Sequence, residues 1–590
     1  MRRRPSKPVS WQEVRSSWAK ILTQSRRFLP VMILAILFSI ISTIFTLKAP
    51  DLLSEATNLI MNGILTGIDM DKVLGVFRTI ALIYGASLFL SLFQQLIMTT
   101  VTHRFTQSLR TQIAGKIDRL PMAYYHQTST GDVLSRVTND VDMIGQSFNQ
   151  SLGTFFASIT LFFGSLFMML RTNILMTVTA IGASLVGFIL MFIIMGRSQK
   201  YFFQQQESLG AINGHIEEIF SGHTIMRAYN GESAALQTFD ELNEALRSSA
   251  FRSQRLAGLM PPLMIFIGNA GYVAVCVAGA SLTINGKASV GVIVAFMMYI
   301  RFFTQPLSQL AQVAQTMQAA AAAASRVFEF LEAEEMPDES GKPASLGNIR
   351  GDVSFDHVRF GYDPDRVIIH DFSASAQAGK KIAIVGPTGA GKTTLVNLLM
   401  RFYDPDEGSI RIDGTASSDV RREAVREQFC MVLQETWLFE GTIRENLAFA
   451  TPGVTDEVLD SACKAVGLDY FIRTLPKRYD TVLNDKVALS QGQMQQLTIA
   501  RAMIADRPML ILDEATSSVD TRTEQIIQKA MDELMKGRTS FVIAHRLSTI
   551  RNADLILVLR DGDIVESGTH EQLLADNGFY AELYNSQFES

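Results

Sequence analysis

The sequence predicts a six-helix transmembrane domain with long cytoplasmic helical extensions, followed by an α/β domain. Three observations predict it. Apolar residues make up 47% of the 590-residue chain and crowd into residues 28–310. Two polar stretches of roughly 50 and 60 residues interrupt that region with a helical rhythm. The remainder is soluble in composition and contains an apolar run, a glycine-rich turn and a helical pattern in immediate succession. A chain of this length exceeds a single core, so at least two domains are expected.

Residues 1–27 form an N-terminal cytoplasmic or interfacial segment, with Arg2, Arg3, Arg4, Lys7, Arg15, Lys20, Arg26 and Arg27 against one acid, Glu13. The apolar run that follows has spanning length rather than that of a cleavable signal, so it is read as uncleaved. Trp11, Val14, Trp18, Ile21 and Leu22 recur at helical spacing on this basic background, which suits a helix lying in the membrane interface.

Six segments are long and apolar enough to cross a bilayer: 28–47, 76–101, 151–170, 174–195, 259–282 and 290–310. Lysine and arginine concentrate in the N-terminus and in 102–150 and 196–258, whereas the opposite loops hold only Lys48, Lys72, Arg171 and Lys287. The positive-inside rule therefore puts both termini in the cytoplasm of a multi-pass cell-membrane protein. The two inner connections far exceed ordinary loops and should be structured. Phe105, Leu109, Ile113 and Ile117 keep a helical rhythm, as do Ile212, Ile216, Ile219 and Phe220, so each connection reads as a helical pair with its turn near 124–132 or 221–230. Such tips are placed to touch a soluble domain and relay its motion, and the paired Tyr124 and Tyr125 suggest a docking surface.

Gln94, Gln95, Asn269 and Gln305 are the polar residues noted inside the spans, and with no Asp or Glu in them a proton-relay mechanism loses support. Tyr272, Phe296, Met297, Met298, Phe302 and Phe303 suit a wide, adaptable apolar cavity, and equally suit lipid contact or helix packing. Pro306 should kink the sixth span. Cys276, Cys430 and Cys463 have no paired spacing, so neither disulfides nor a metal site is implied, and all three read as buried, inert thiols. The net charge of −5 is small for this size and gives no reason to expect a nucleic-acid partner.

An alanine-rich helix over 315–331 leaves the membrane region and ends in Glu332, Glu334, Glu335, Pro337, Asp338, Glu339 and Gly341, a composition that marks a linker over 331–348. The transmembrane domain is thus placed at 28–330 and the soluble domain at 349–590. In the latter the apolar run 381–385 feeds Gly386-Pro387-Thr388-Gly389-Ala390-Gly391-Lys392-Thr393, and Thr394 continues into a helix. This is a P-loop with its strand–turn–helix context intact. Backbone N–H groups converge where phosphates sit, Lys392 can reach the β- and γ-phosphates, and the Thr393 hydroxyl can ligate Mg²⁺. A nucleoside triphosphate is the expected ligand.

Other residues follow in a fixed order. Tyr362, ahead of the first core strand, can stack on adenine. Gln434 follows the P-loop, then Leu489-Ser490-Gln491-Gly492-Gln493, then the apolar run 509–512 ending in Asp513 and Glu514, then Ser518-Val519-Asp520, and finally His545. Asp513 can hold the Mg²⁺ shell, while Glu514, one residue on, can polarise the attacking water. Gln434 can sense the γ-phosphate or metal, and His545 can bond the γ-phosphate and fix the water. This ordered set resembles the ATPase domain of ABC transporters, and joined to six preceding spans it resembles an ABC exporter half-transporter of the type IV fold. The resemblance covers nearly the whole chain. It implies an α/β P-loop ABC ATPase domain with ATP and Mg²⁺ as cofactors. It also implies a dimer in which each ATP lies between the P-loop of one chain and the signature segment of the other, so that Ser490, Gln491, Gly492, Gln493 and Asp520 join the nucleotide-binding set.

The sequence departs from that pattern at the signature, which usually reads Leu-Ser-Gly-Gly-Gln and here has Gln491 in place of the first glycine. Upstream, 481–488 lacks the Gly-Glu-Arg-Gly run common in homodimeric exporters. In heterodimeric bacterial exporters the subunit that keeps the catalytic glutamate often carries such an altered signature. The resemblance therefore favours a heterodimer with a second half-transporter over a homodimer. It implies ATP-driven export of amphipathic small molecules, as in multidrug efflux, by alternating access. A lipid flippase is the nearest alternative, and an ATP-gated channel or regulatory subunit a distant one.

Overall fold

The computed structural model describes residues 11–64, 67–363, 365–433, 436–483, 489–513, 521–543 and 550–588. They fall into two compact units, one of Met1–Asp118 with Thr130–Ala333 and the other of Arg119–Ser129 with Glu334–Ser590.

Long apolar sequences, helical even through Pro50 and Pro306, make the first unit a bundle. Its helices are α1 (Trp11–Gln24), α2 (Leu29–Gly63), α3 (Met70–Ile117), then α5 (Thr130–Ser135) after α4 (Met122–Gln127) of the second unit, α6 (Val141–Thr172), α7 (Ile174–Ser221), α8 (His223–Ala228), α9 (Glu232–Gly258), α10 (Met260–Ile284) and α11 (Val290–Glu332). Six stretches of this unit are long and apolar enough to cross a membrane, and they form the transmembrane domain. Asn173 starts α7 by accepting from the Met176 N–H at 3.1 Å, which is why one residue suffices between α6 and α7.

Several helices outrun the expected spans. The first span was placed at 28–47, yet α2 continues to Gly63 and carries Asp51 and Glu55 with it. Buried Ala49, Pro50 and Ala56 pack this extension, and the Tyr299 hydroxyl of α11 donates to Asp51 Oδ1 at 2.6 Å. The alanine-rich helix is not separate either, because α11 runs unbroken from the sixth span through Pro306 to Glu332. Three residues of the N-terminal stripe are buried in protein: Val14, Trp18 and Ile21 of α1 are covered, whereas Leu22 is exposed, and Trp18 Nε1 donates to the Met317 carbonyl of α11 at 3.2 Å. Lys116 caps α11 by donating to the Ala333 carbonyl, satisfying a helix-end acceptor. In both inner connections a short helix, α4 or α8, stands at the expected turn.

The second unit is α/β. Its main sheet takes β3 (Lys381–Val385), β6 (Phe429–Val432), β9 (Met509–Asp513), β10 (Thr539–Ile543), β11 (Leu555–Arg560) and β12 (Asp563–Gly568) in the spatial order β12-β11-β3-β10-β9-β6. All neighbours are parallel except β12 on β11. Parallel strands covered on both faces need continuous apolar runs, which explains why 382–385 and 509–512 do not alternate. A second, antiparallel sheet orders β1 (Val353–Phe360), β2 (Ile369–Ala376), β4 (Glu407–Ile412) and β5 (Thr415–Ala416) as β2-β1-β4-β5, and β7 (Gly441–Thr442) pairs with β8 (Val482–Leu483). The helices are α12 (Lys392–Leu399), α13 (Arg422–Arg426), α14 (Ile443–Leu447), α15 (Asp456–Ala465), α16 (Asp469–Thr474), α17 (Gln491–Ala505) and α18 (Thr521–Met535), with His570–Ala575 and Phe579–Phe588 closing the chain.

Candidate nucleotide site

The site grows from the carboxyl end of β3. Gly386 passes so close to β11 that a Cβ there would lie 2.4 Å from the Leu559 carbonyl oxygen. Gly391, at φ 99, forms the N-cap of α12 in the left-handed region, and a Cβ would meet Ile369 Cδ1 at 2.7 Å. These two positions admit only glycine, and they turn the chain so that the open N–H groups at the start of α12 face one hollow. Pro387, Thr388, Gly389 and Thr393 are exposed, whereas Ala390 and Thr394 are buried beneath the turn.

Lys392 lies largely buried at this helix start, its Nζ donating to the carbonyls of Gly386 at 2.7 Å and Pro387 at 3.0 Å. Burial holds its ammonium below the ordinary lysine range, and the nearby Asp513 carboxylate opposes that shift. Lysine, loop carbonyls and carboxylate therefore share one small volume. Thr393, exposed, and Asp513, at the end of β9, supply a hydroxyl and a carboxylate, the sparse donor set that suits Mg²⁺ held mainly by phosphates.

The sheet register brings the ends of β10, β9 and β6 to the same edge. Ile543 of β10 stands opposite Ile384 of β3 on one side and Asp513 of β9 on the other, and Val432 of β6 stands opposite Leu512. Gln434, Glu514 and His545 follow these strand ends by one or two residues in sequence. They and Asp520 lie outside the described residues, as do 484–488 of the segment before the signature.

Tyr362 follows β1, and its hydroxyl accepts from Asn397 Nδ2 of α12 at 2.9 Å, tying it to the helix that the P-loop opens. Its ring stands edge-on to Phe360 at 5.1 Å and Tyr403 at 5.0 Å, and 40% of the residue is exposed. His126 of α4, in the same compact unit, lies 3.1 Å through Nδ1 from the Tyr403 hydroxyl, with its ring 6.2 Å from that of Tyr362. The sequence reading missed Asn397, Tyr403 and His126. The signal for His126 was its place beside the paired tyrosines of the first turn.

The signature segment opens α17. Ser490 is the N-cap, accepting from the Gln493 N–H at 3.2 Å, while Gln493 Oε1 accepts from the Ser490 N–H at 2.9 Å. This reciprocal capping commits the Gln493 side chain to the helix start. Gly492 is buried and Gln491 exposed at the first helical position. Among the described residues, no hydrogen bond or ion pair joins Ser490, Gln491, Gly492 or Gln493 to the P-loop of the same chain.

Known proteins resemble this chain in sequence and fold. The family model described as "ABC transporter transmembrane region" matches residues 32–307, and that described as "ABC transporter" matches 369–517. The chain is 39% identical to the fatty acid ABC transporter ATP-binding/permease protein of Mycobacterium bovis, with 99% of this chain and 98% of that protein covered. It is 36% identical to a probable multidrug resistance ABC transporter ATP-binding/permease protein of Bacillus subtilis, over 86% of this chain and 76% of the other. A solved structure of a bacterial Atm1-family ABC exporter with ATP bound superposes with a TM-score of 0.73 at 29% identity, covering 95% of this chain and 98% of that one. The chain belongs to the ABC transporter family, as an exporter whose N-terminal transmembrane domain is driven by a C-terminal ATPase domain.

Proposed function

We propose that this chain exports amphipathic small molecules by alternating access, as one half of a heterodimer in a bacterial plasma membrane with both termini cytoplasmic. ATP-driven export and dimerisation belong to the family. The substrate class, the kind of dimer and the roles of individual residues are the proposal. In it Lys392, Gln434, Glu514 and His545 perform hydrolysis, and Thr393, Gln434 and Asp513 hold Mg²⁺. Tyr362 stacks on adenine. Ser490, Gln491, Gly492, Gln493 and Asp520 complete sites at the dimer interface.

Gln491 carries the heterodimer reading. It occupies the first position of α17 with the helix cap intact, so the segment folds as a signature helix yet presents a long amide where glycine would let a γ-phosphate reach the backbone. A chain with an intact P-loop, Asp513 and Glu514 but an altered signature suits a dimer with one competent and one weak site. Relatives named for fatty acid transport and for multidrug resistance support an amphipathic cargo.

The test is ATPase turnover of this chain purified alone, with its mass by light scattering. The proposal expects an inactive or monomeric species that gains activity only with a second half-transporter. A stable dimer that hydrolyses ATP unaided would overturn the heterodimer. Glu514→Gln, which should abolish substrate movement into inside-out vesicles, separates pump from gated channel.

A further inference from the structure

The sixth span hides a cation. Arg301 falls at the middle of 290–310, where a charged side chain facing lipid is strongly disfavoured and such residues instead face a partner or an aqueous cavity. It is exposed, and among the described residues it has no hydrogen bond or ion pair.

Arg301 does not stand alone. Gln305, Ser308, Gln312 and Gln315 follow it at steps of four, three, four and three, all exposed, so they form one polar stripe along α11. The side-chain amides of Gln305, Gln312 and Gln315 also lack hydrogen-bond partners among the described residues. The other side of the helix is spent on packing, with Tyr299, Phe303, Thr304 and Val313 buried. The α3 helix contrasts with it, exposing the apolar Leu82, Leu88 and Phe89. Arg301, Gln305 and Ser308 lie within the span and Gln312 and Gln315 on its continuation past residue 310, and an exposed polar run at membrane depth belongs to a water-filled path rather than to the bilayer.

We propose that Arg301 is the specificity-determining residue of an anion subsite in the export path, taking single-chain amphiphiles with one carboxylate head. The inference rests on the export reading above and names its substrate class. One guanidinium offers a planar fork that matches one carboxylate bidentately, and the Gln305 amide, one turn along, is a further donor. The stripe carries a single cation, which balances a monoanion and leaves a phosphate dianion undercompensated. The aliphatic tail has Phe302 and Met298, half-buried beside the stripe, as its surroundings.

The experiment measures binding of palmitate and of uncharged methyl palmitate to the full-length chain in neutral detergent, for wild type, Arg301→Gln and Arg301→Lys. Arg301→Gln should weaken palmitate about tenfold or more, the loss typical of a charge-assisted hydrogen bond, and leave methyl palmitate unchanged. Arg301→Lys keeps the charge without the fork and should fall between. Equal losses for both ligands, or no loss for palmitate, overturn the proposal. An identical shift with phosphatidylglycerol in place of palmitate would also overturn it, by making the subsite a lipid-phosphate site. Palmitate that binds through Arg301 but is never moved by ATP leaves the subsite standing and sinks the export of such substrates instead.

Discussion

Glu339 Oε1 lies 2.6 Å from Arg401 Nη2, deep enough that 8% of the one side chain and 2% of the other is exposed. Arg422 Nη1 adds a contact at 2.9 Å and Lys342 Nζ another at 3.0 Å, while Asp404 shares both arginines from the far side. The acids after α11 mark a linker by composition, and this one also anchors the ATPase unit. Arg401 follows the end of α12 in the left-handed region at φ 53, so the anchor also fixes where the P-loop helix stops.

Replacing Glu339 with glutamine should therefore destabilise the ATPase unit by about 3 kcal/mol, because it leaves buried guanidinium groups uncompensated. For a domain of this size that corresponds to a fall of roughly 6 to 12 °C in its melting temperature. Glu407→Gln is the control. It breaks the Arg359–Glu407 pair at 3.3 Å, whose partners are 46% and 68% exposed, and should change little. Equal melting temperatures for the two variants would remove the anchor from the account.

The same cluster sets an acid limit. Burial alone would raise the carboxyls of Glu339 and Asp404, but hydrogen bonds and charge from Arg401 and Arg422, joined at Glu339 by Lys342, outweigh it and hold both below their ordinary values of 4.5 and 3.8. A depressed carboxyl contributes stability that is complete above its unfolded value and is lost as pH falls through its folded one. Melting temperature should thus begin to fall below about pH 4.5 and keep falling as the pH is lowered further, less steeply in Glu339→Gln. A variant whose acid slope matches the wild type would refute the assignment.

Lys392 should matter to chemistry far more than to folding. Its bonds go to two loop carbonyls that water can satisfy once the lysine is removed. Lys392→Ala is expected to lower ATP turnover by about 100-fold or more, with a melting temperature close to wild type. Turnover and melting measured on one preparation decide this, and a folded variant with near-normal turnover would exclude Lys392 from the site.

The P-loop was legible because strand, turn and helix are adjacent in sequence and each residue's requirement is local. Span number was legible for a similar reason, since lipid imposes hydropathy on every turn of a helix. Span ends were not. The extension of α2 rests on Ala49 and Ala56 packing and on Tyr299 reaching Asp51, contacts made by residues far apart in the chain. The anchoring by Glu339 was not legible because its partners Arg401 and Arg422 come some 60 to 80 residues later. Arg301 escaped notice because its apolar neighbours outweigh one charge in any hydropathy window. The N-terminal stripe was seen correctly as helical, but periodicity alone does not say whether lipid or α11 covers it.

The cysteines give the last prediction. They were expected to be buried and inert. Cys430 and Cys463 are buried, whereas Cys276 is only partly so. Burial raises the Cys430 thiol, whose Sγ donates to the Ala502 carbonyl at 3.4 Å, and pushes Cys463 up to about 11. Only the thiolate attacks an alkylating reagent, and a thiol whose value is raised stays protonated until the pH approaches it. In a Cys276→Ser chain, incubated with iodoacetamide at about pH 8, neither remaining thiol should be modified while the ATPase unit is folded. Both should react after denaturation. Mass spectrometry of the intact chain reads this directly, and fast modification of either cysteine before unfolding would mean that the cores around β6 and α15 open far more readily than their burial implies.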